Sequence, residues 1–181
     1  RIVQENNYFL DFGLLGSKTV PAMLTKYGYL EDVMKMATKR EAPSWGYWVE
    51  TMGYTTLPET WTLSPQFKDA SLNHVFMGDI SAWMMNQLAG INHDPADPGF
   101  HHILLTPHFP EGMEWAKGRY HSVKGEIVSE WTREADGIHL TITIPADCAA
   151  ELRLPQETQT ISAGTHQLVF NPKNAIYQTQ K

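Results

Sequence analysis

Asp136-Gly137-Ile138-His139-Leu140-Thr141-Ile142-Thr143-Ile144 is the stretch on which the fold turns. Ile138, Leu140, Ile142 and Ile144 alternate with His139, Thr141 and Thr143. That period of two puts apolar side chains on one face of an extended chain and polar ones on the other, the mark of a half-buried strand. The Asp-Gly pair ahead of it is a hairpin signal, because a tight turn needs a positive φ that glycine adopts freely. Outward from this strand, residues 103–105, 116–120 and 125–132 on one side, and 150–154 and 167–170 on the other, read as further short strands. Short strands with turn residues between them predict an antiparallel β-sandwich.

Before about residue 90 the period becomes helical. Residues 16–26 predict a helix with Pro21 in its first turn or at a kink. Residues 29–39 predict a second, with Leu30, Val33, Met34 and Ala37 as one apolar stripe and Lys39 and Arg40 suiting its negative end. Residues 71–89 predict a third, with Val75, Ile80, Trp83, Met84 and Leu88 buried and Gly90 as C-cap. Between the second and third, residues 42–69 hold Pro43, Pro58 and Pro65 and keep no steady period; long ordered loops of this kind usually carry function. Residues 91–100 are rich in Asn, Asp, Pro and Gly and mark the boundary. The expected organisation is α+β in two segments, residues 1–92 and 100–181. Three helices and a loop make a poor core by themselves, so the first segment calls for packing partners from outside the chain.

Composition narrows the function. The chain has 181 residues, 42% hydrophobic and 19% charged, which is globular rather than disordered. Net charge is −6 with no basic run, which excludes nucleic acid as a partner. No apolar run approaches the roughly 20 residues of a membrane span. Cys148 is the single cysteine, so neither an internal disulfide nor a Cys-rich zinc site is available; it leaves the compartment open. His101 and His102 are adjacent in a strand and point to opposite faces, and His93, Asp94 and Asp97 form only a weak metal grouping. A Gly-x-Ser-x-Gly elbow and a glycine-rich phosphate loop are both absent.

Two residues remain for chemistry. Glu59 is a lone carboxylate among Tyr54, Pro58 and Trp61. It reads either as a solvated loop residue or as a proton-transfer group in a sugar site, where aromatic rings stack on the sugar and carboxylates move protons. His74, after Asn73, reads either as a helix cap or as a hydrogen-bond partner of a substrate hydroxyl.

Thr55-Thr56-Leu57-Pro58-Glu59-Thr60-Trp61 resembles the Thr-Thr-hydrophobic-Trp-Glu-x-Trp motif of glycoside hydrolase family 78, the α-L-rhamnosidases. Pro43-Ser44-Trp45-Gly46-Tyr47, Ser71-Leu72-Asn73-His74 with Phe76 and Gly78, and Gly90-Ile91 leading to His102-Ile103 and Pro107 resemble further segments of that family in order and spacing. Val128-Ser129-Glu130-Trp131 also fits its last domain. The resemblance implies the last helices of an (α/α)6 barrel, residues 1–92, followed by the β-sandwich. It implies Glu59 as general base, His74 as a sugar contact, and Trp45 and Trp61 as pocket walls. It implies a rhamnose-containing glycoside as substrate, an inverting mechanism, no cofactor, and the remainder of the catalytic domain as partner. The family's acid motif has no counterpart in residues 1–58, so the chain is expected to supply the base without the acid and to be inactive alone. Pro58 stands where the family commonly has Trp, which removes one ring from beside the carboxylate. The competing reading is a noncatalytic carbohydrate-binding sandwich with Trp115, Tyr120 and Trp131 as an exposed platform.

Overall fold

The computed structural model describes residues 1–61 and 69–171. Pro65 of the irregular stretch, and residues 172–181 of the expected β segment, lie outside the described residues. The chain divides into two compact units, Arg1–Trp83 and Met84–Lys181.

The first unit is helical. It contains α1 (Ile2–Glu5), α2 (Leu14–Lys26), α3 (Leu30–Thr38), a π-helical turn at Tyr47–Thr51, a 3₁₀ turn at Val75–Gly78 and α4 (Asp79–Trp83). Pro21 sits in the middle of α2, not in its first turn, and is buried. The gap in the local hydrogen-bond ladder is flanked by a buried relay. Trp83 Nε1–H donates to Thr25 Oγ1 at 2.9 Å, and the Thr25 hydroxyl donates to the Pro21 carbonyl at 2.9 Å. In α3 the buried residues are Val33, Met36 and Ala37; Met36 replaces Met34 and Leu30 as the inward group. The core centres on an aromatic cluster: Trp48 stacks on Trp61 at 4.7 Å, and Trp61 meets Trp45 and Phe12 edge-on at 4.9 and 5.9 Å. Leu15, Val75 and Val49 remain exposed, so the unit presents apolar surface to its surroundings.

The helix expected over 71–89 is the main correction. Regular structure begins only at Val75, which is 78% exposed, while Met77 takes the inward position. The chain then passes from 3₁₀ to α, with Ile80 and Trp83 buried. A π-helical turn at Met84–Leu88 opens the second unit, with Leu88 buried and Met84 exposed rather than buried.

The second unit is a β-sandwich, with eight strands among the described residues. These are β1 (Ile91–His93), β2 (His102–Leu105), β3 (Trp115–Ser122), β4 (Gly125–Arg133), β5 (Ile138–Ile144), β6 (Ala149–Arg153), β7 (Thr158–Ile161) and β8 (Gly164–Phe170). One sheet has the order β1-β2-β6-β7 and the other β3-β4-β5-β8. The sheets are antiparallel as expected except for the parallel β2–β6 pair, and β1 and β7 are strands additional to those the alternation predicts. The β5 strand runs over the residues its alternation indicates, with Ile138, Leu140, Ile142 and Ile144 all buried. Among the described residues no helix lies between 103 and 170.

Two glycines are dictated by backbone. Gly90 has φ +79°, and an added Cβ would stand 2.2 Å from the Pro107 nitrogen. Gly137, at φ +153° in the β4–β5 hairpin, faces the Phe170 carbonyl oxygen, which an added Cβ would approach to 2.7 Å. Ser129 and Trp131 of β4 donate to the carbonyls of Ala89 and Leu88 at 2.6 and 2.8 Å, which fixes the end of the π-helical turn against the strand. Arg133 donates to the carbonyls of Phe109, Pro110 and Met113 and holds the loop before β3 in place.

Candidate functional site

The irregular stretch and residues 71–74 meet through backbone pairing, so the site is built from the chain outward. Glu59 N–H donates to the Ser71 carbonyl at 2.8 Å, and His74 N–H donates to the Leu57 carbonyl at 2.8 Å. Thr56 Oγ1 adds a bond to the Leu72 carbonyl at 2.7 Å. These non-local bonds give residues 71–74 better partners than a helical turn would, which is why the helix starts late.

The clamp brings two side chains together. Glu59 Oε2 accepts the Ser71 backbone N–H at 3.0 Å. Its Oε1 faces His74 Nε2 at 4.0 Å. His74 is also the N-cap of the 3₁₀ turn, with Nδ1 accepting the Phe76 N–H at 3.4 Å. The Glu59 side chain is 36% exposed and that of His74 23%, so both border solvent without being fully wet. A half-open cleft of about 240 Å³ is lined by Gly53, Tyr54, Thr55, Thr56, Pro58 and Leu72, sequence neighbours of the pair, while Glu59 and His74 themselves do not line it. A carboxylate and an imidazole so arranged can accept and donate one hydrogen bond each toward a common small group.

The two tryptophans both pack inward in this structure. Trp45 is only 4% exposed and its Nε1–H donates to the Met77 carbonyl at 2.9 Å, so the ring belongs to the core of the first unit. Trp61 is half-buried, donates to the Phe12 carbonyl and stacks on Trp48. Its ring braces the end of the segment that carries Glu59. Sequence reading missed the Ser71 and Phe76 backbone donors, and no side-chain signal could have revealed them.

The platform required by a carbohydrate-binding module is not formed. Trp131 is 1% exposed, and Trp115 and Tyr120 lie five residues apart on β3, on opposite faces. His101 and His102 go to separate carboxylates, Asp97 at 3.7 Å and Asp94 at 2.9 Å. The hydrogen bond from His102 holds the Asp94 carboxyl below its ordinary value, helped by the Ala96 N–H. Burial pushes His108 down, against the hydrogen bond of its ring to the Gln87 carbonyl.

Among the described residues, Glu134, Asp136 and His139 bring three ligand-type atoms within 4.8 Å of one another at the exposed β4–β5 hairpin. In this structure they pair with each other: Asp136 Oδ1 meets His139 Nε2 at 2.8 Å. That bond raises the His139 pKa above 6.5 and lowers that of Asp136 below 3.8. The raised His favours folding most fully below its unfolded value and loses that contribution as pH rises through the folded one; the lowered Asp does the reverse on the acid side. The pair therefore helps the hairpin between about pH 4 and 6.5. Asp136→Asn should return the His139 titration toward its ordinary value, read from the imidazole resonances by NMR. An unmoved titration would show that the bond is absent in solution.

Comparison with known proteins also divides the chain in two, a few residues later. Residues 1–88 match the family described as bacterial alpha-L-rhamnosidase 6 hairpin glycosidase domain, and residues 90–169 match the bacterial alpha-L-rhamnosidase C-terminal domain. An alpha-L-rhamnosidase of Alteromonas sp. (strain LOR) is 28% identical over 169 residues, which are 90% of this chain and 18% of that protein. The crystal structure of an Aspergillus terreus rhamnosidase superposes with a TM-score of 0.83 at 26% identity, over 92% of this chain and 20% of that one. The Streptomyces avermitilis alpha-L-rhamnosidase complexed with L-rhamnose shares the fold, with a TM-score of 0.80 at 23% identity over 92% of this chain and 18% of that one. The chain thus spans less than a quarter of the length of the relatives it matches. Among the described residues no helix is long and apolar enough to cross a membrane.

Proposed function

The chain belongs to the bacterial alpha-L-rhamnosidases, its first half to their 6 hairpin glycosidase domain and its second to their C-terminal domain, and on that footing we propose that it carries the general base of an inverting glycoside hydrolase acting on terminal α-L-rhamnosides. Glu59 is that base. The observation that carries the reading is the meeting of Glu59 and His74 at 4.0 Å, across two segments held by backbone hydrogen bonds. A solvated loop carboxylate needs no such support. A base that must present one oxygen to a water molecule does need it, because positioning is a large part of general-base catalysis.

In an inverting hydrolase an acid protonates the leaving oxygen while an ionised base takes a proton from water on the opposite face of the sugar, the two carboxyl groups standing about 6.5–9.5 Å apart. We place the acid in the part of the polypeptide outside the matched stretch, since the Alteromonas relative is matched over only 18% of its length. The same part would cover the exposed Leu15, Val49 and Val75 of the first unit. The two-carboxylate reaction itself calls for no metal or organic cofactor. The L-rhamnose held by the Streptomyces avermitilis relative supports the choice of sugar.

The stereochemistry tests the mechanism. Hydrolysis of an α-L-rhamnoside by the full-length enzyme, followed by proton NMR from the first turnover, should release β-L-rhamnose before mutarotation. Initial release of the α-anomer would instead require a nucleophilic carboxylate about 5–5.5 Å from the acid, and the general-base assignment would be lost.

A further inference from the structure

We infer that His74 positions the attacking water: a single oxygen atom sits between Glu59 Oε1 and His74 Nε2, accepting a hydrogen bond from the imidazole and donating one to the carboxylate. The inference rests on Glu59 being the base and assigns His74 a task distinct from holding a sugar hydroxyl.

The geometry carries the first step. At 4.0 Å the two atoms are too far apart for a direct hydrogen bond and too close for two intervening waters. An oxygen about 2.8 Å from each spans that gap with an angle near 90° at the oxygen. Both side chains are partly exposed, so solvent reaches the place.

The tautomer carries the second. A backbone N–H can only donate, and the Phe76 N–H is directed at His74 Nδ1. Nδ1 therefore presents its lone pair, and neutral His74 keeps its proton on Nε2, on the side of Glu59. An imidazole already protonated at Nε2 cannot take a proton from the water. It can only orient it. Glu59 is fixed from its other side by the Ser71 N–H on Oε2, which leaves Oε1 to receive the proton.

The step balances on these groups. The water oxygen uses one lone pair for the His74 N–H and the other for the anomeric carbon. The new carbon–oxygen bond forms as the bond to the leaving oxygen breaks. One water proton passes to Glu59 Oε1, and the leaving oxygen takes its proton from the acid.

Three variants of the full-length enzyme, assayed on para-nitrophenyl α-L-rhamnoside, test the assignment. Asparagine caps helices well, so His74→Asn keeps an acceptor for the Phe76 N–H but loses the reach of Nε2. We expect kcat to fall about 10- to 100-fold with KM unchanged, as for one hydrogen bond made only to the reacting group. His74→Gln restores a donor near the Nε2 position and should recover most of the loss, whereas His74→Ala should not. A raised KM with kcat retained in His74→Asn would show that the ring holds a sugar hydroxyl and would overturn the inference. Full activity in His74→Asn beside a defective His74→Ala would reduce the residue to a cap and overturn it equally. Either result would leave the base assignment standing. That assignment fails on a separate measurement, wild-type kcat in Glu59→Gln, and the inference falls with it.

Discussion

Glu59→Gln in the full-length enzyme will lower kcat by about 10²–10⁴-fold, the usual range of a general base, while the protein stays folded. The amide has the size and shape of the carboxylate. Its carbonyl oxygen can still accept the Ser71 N–H, now bound by Glu59 Oε2 at 3.0 Å, so the clamp between residues 57–59 and 71–74 should persist. What the amide cannot do is take a proton from water. The loss should therefore fall on kcat, with ground-state binding of the rhamnoside largely retained. Steady-state kinetics with a thermal melt of the same sample checks both halves of the claim. The 181-residue chain alone should hydrolyse no rhamnoside if, as we propose, the acid lies outside it. Near-normal kcat in the variant, or robust hydrolysis by the chain alone, would each contradict the account.

The candidate site was legible to the extent that its proposed residues are chemically unusual. A carboxylate between proline and tryptophan, and a histidine after Ser-Leu-Asn, stand out in the sequence, and they are the pair that meets at 4.0 Å. The way they meet was hidden. Residues 71–74 have good helical spacing behind them, but their backbone groups pair with residues 57–59, and no local propensity encodes a partner 15 or so residues away. Trp45 was hidden for another reason. A tryptophan suits a core and a sugar platform equally well, and only burial and the Nε1–H bond to Met77 assign it to the core.

The β half was more legible because a strand with one buried face writes its register into the sequence. Alternation from Ile138 to Ile144 gave β5 its full length. The same logic fails for β1, which has three residues, too few for a period to show. It fails also for the parallel pairing of β2 with β6, which joins residues more than forty positions apart and leaves no local mark. In the helical half, the first-turn alternative for Pro21 fails because α2 starts earlier than its apolar spacing suggests, at Leu14, which leaves the proline mid-helix beside the buried Trp83–Thr25–Pro21 relay.

The second unit should depend most heavily on Trp131. Its ring is 1% exposed, meets Phe109 edge-on at 5.2 Å, and its Nε1–H donates to the Leu88 carbonyl at 2.8 Å. Trp131→Ala removes a large buried ring and the donor together, and should cost about 3–5 kcal/mol. A domain of this size has only about 5–15 kcal/mol in hand, so this substitution should remove a large share of it. Trp131→Phe separates the two contributions: it keeps most of the ring and strips the Leu88 carbonyl of its donor, a loss of about 1–3 kcal/mol. Urea unfolding followed by far-UV circular dichroism should show the midpoint falling from wild type to Phe to Ala at unchanged slope. In the full-length enzyme kcat per folded molecule should hold, because Trp131 belongs to neither segment that carries Glu59 and His74. Equal midpoints for the Phe and Ala variants would mean that the ring's packing contributes little beyond the hydrogen bond. A midpoint for Ala equal to wild type would mean that the strand β4 does not rely on the contacts that the buried Trp131 ring makes.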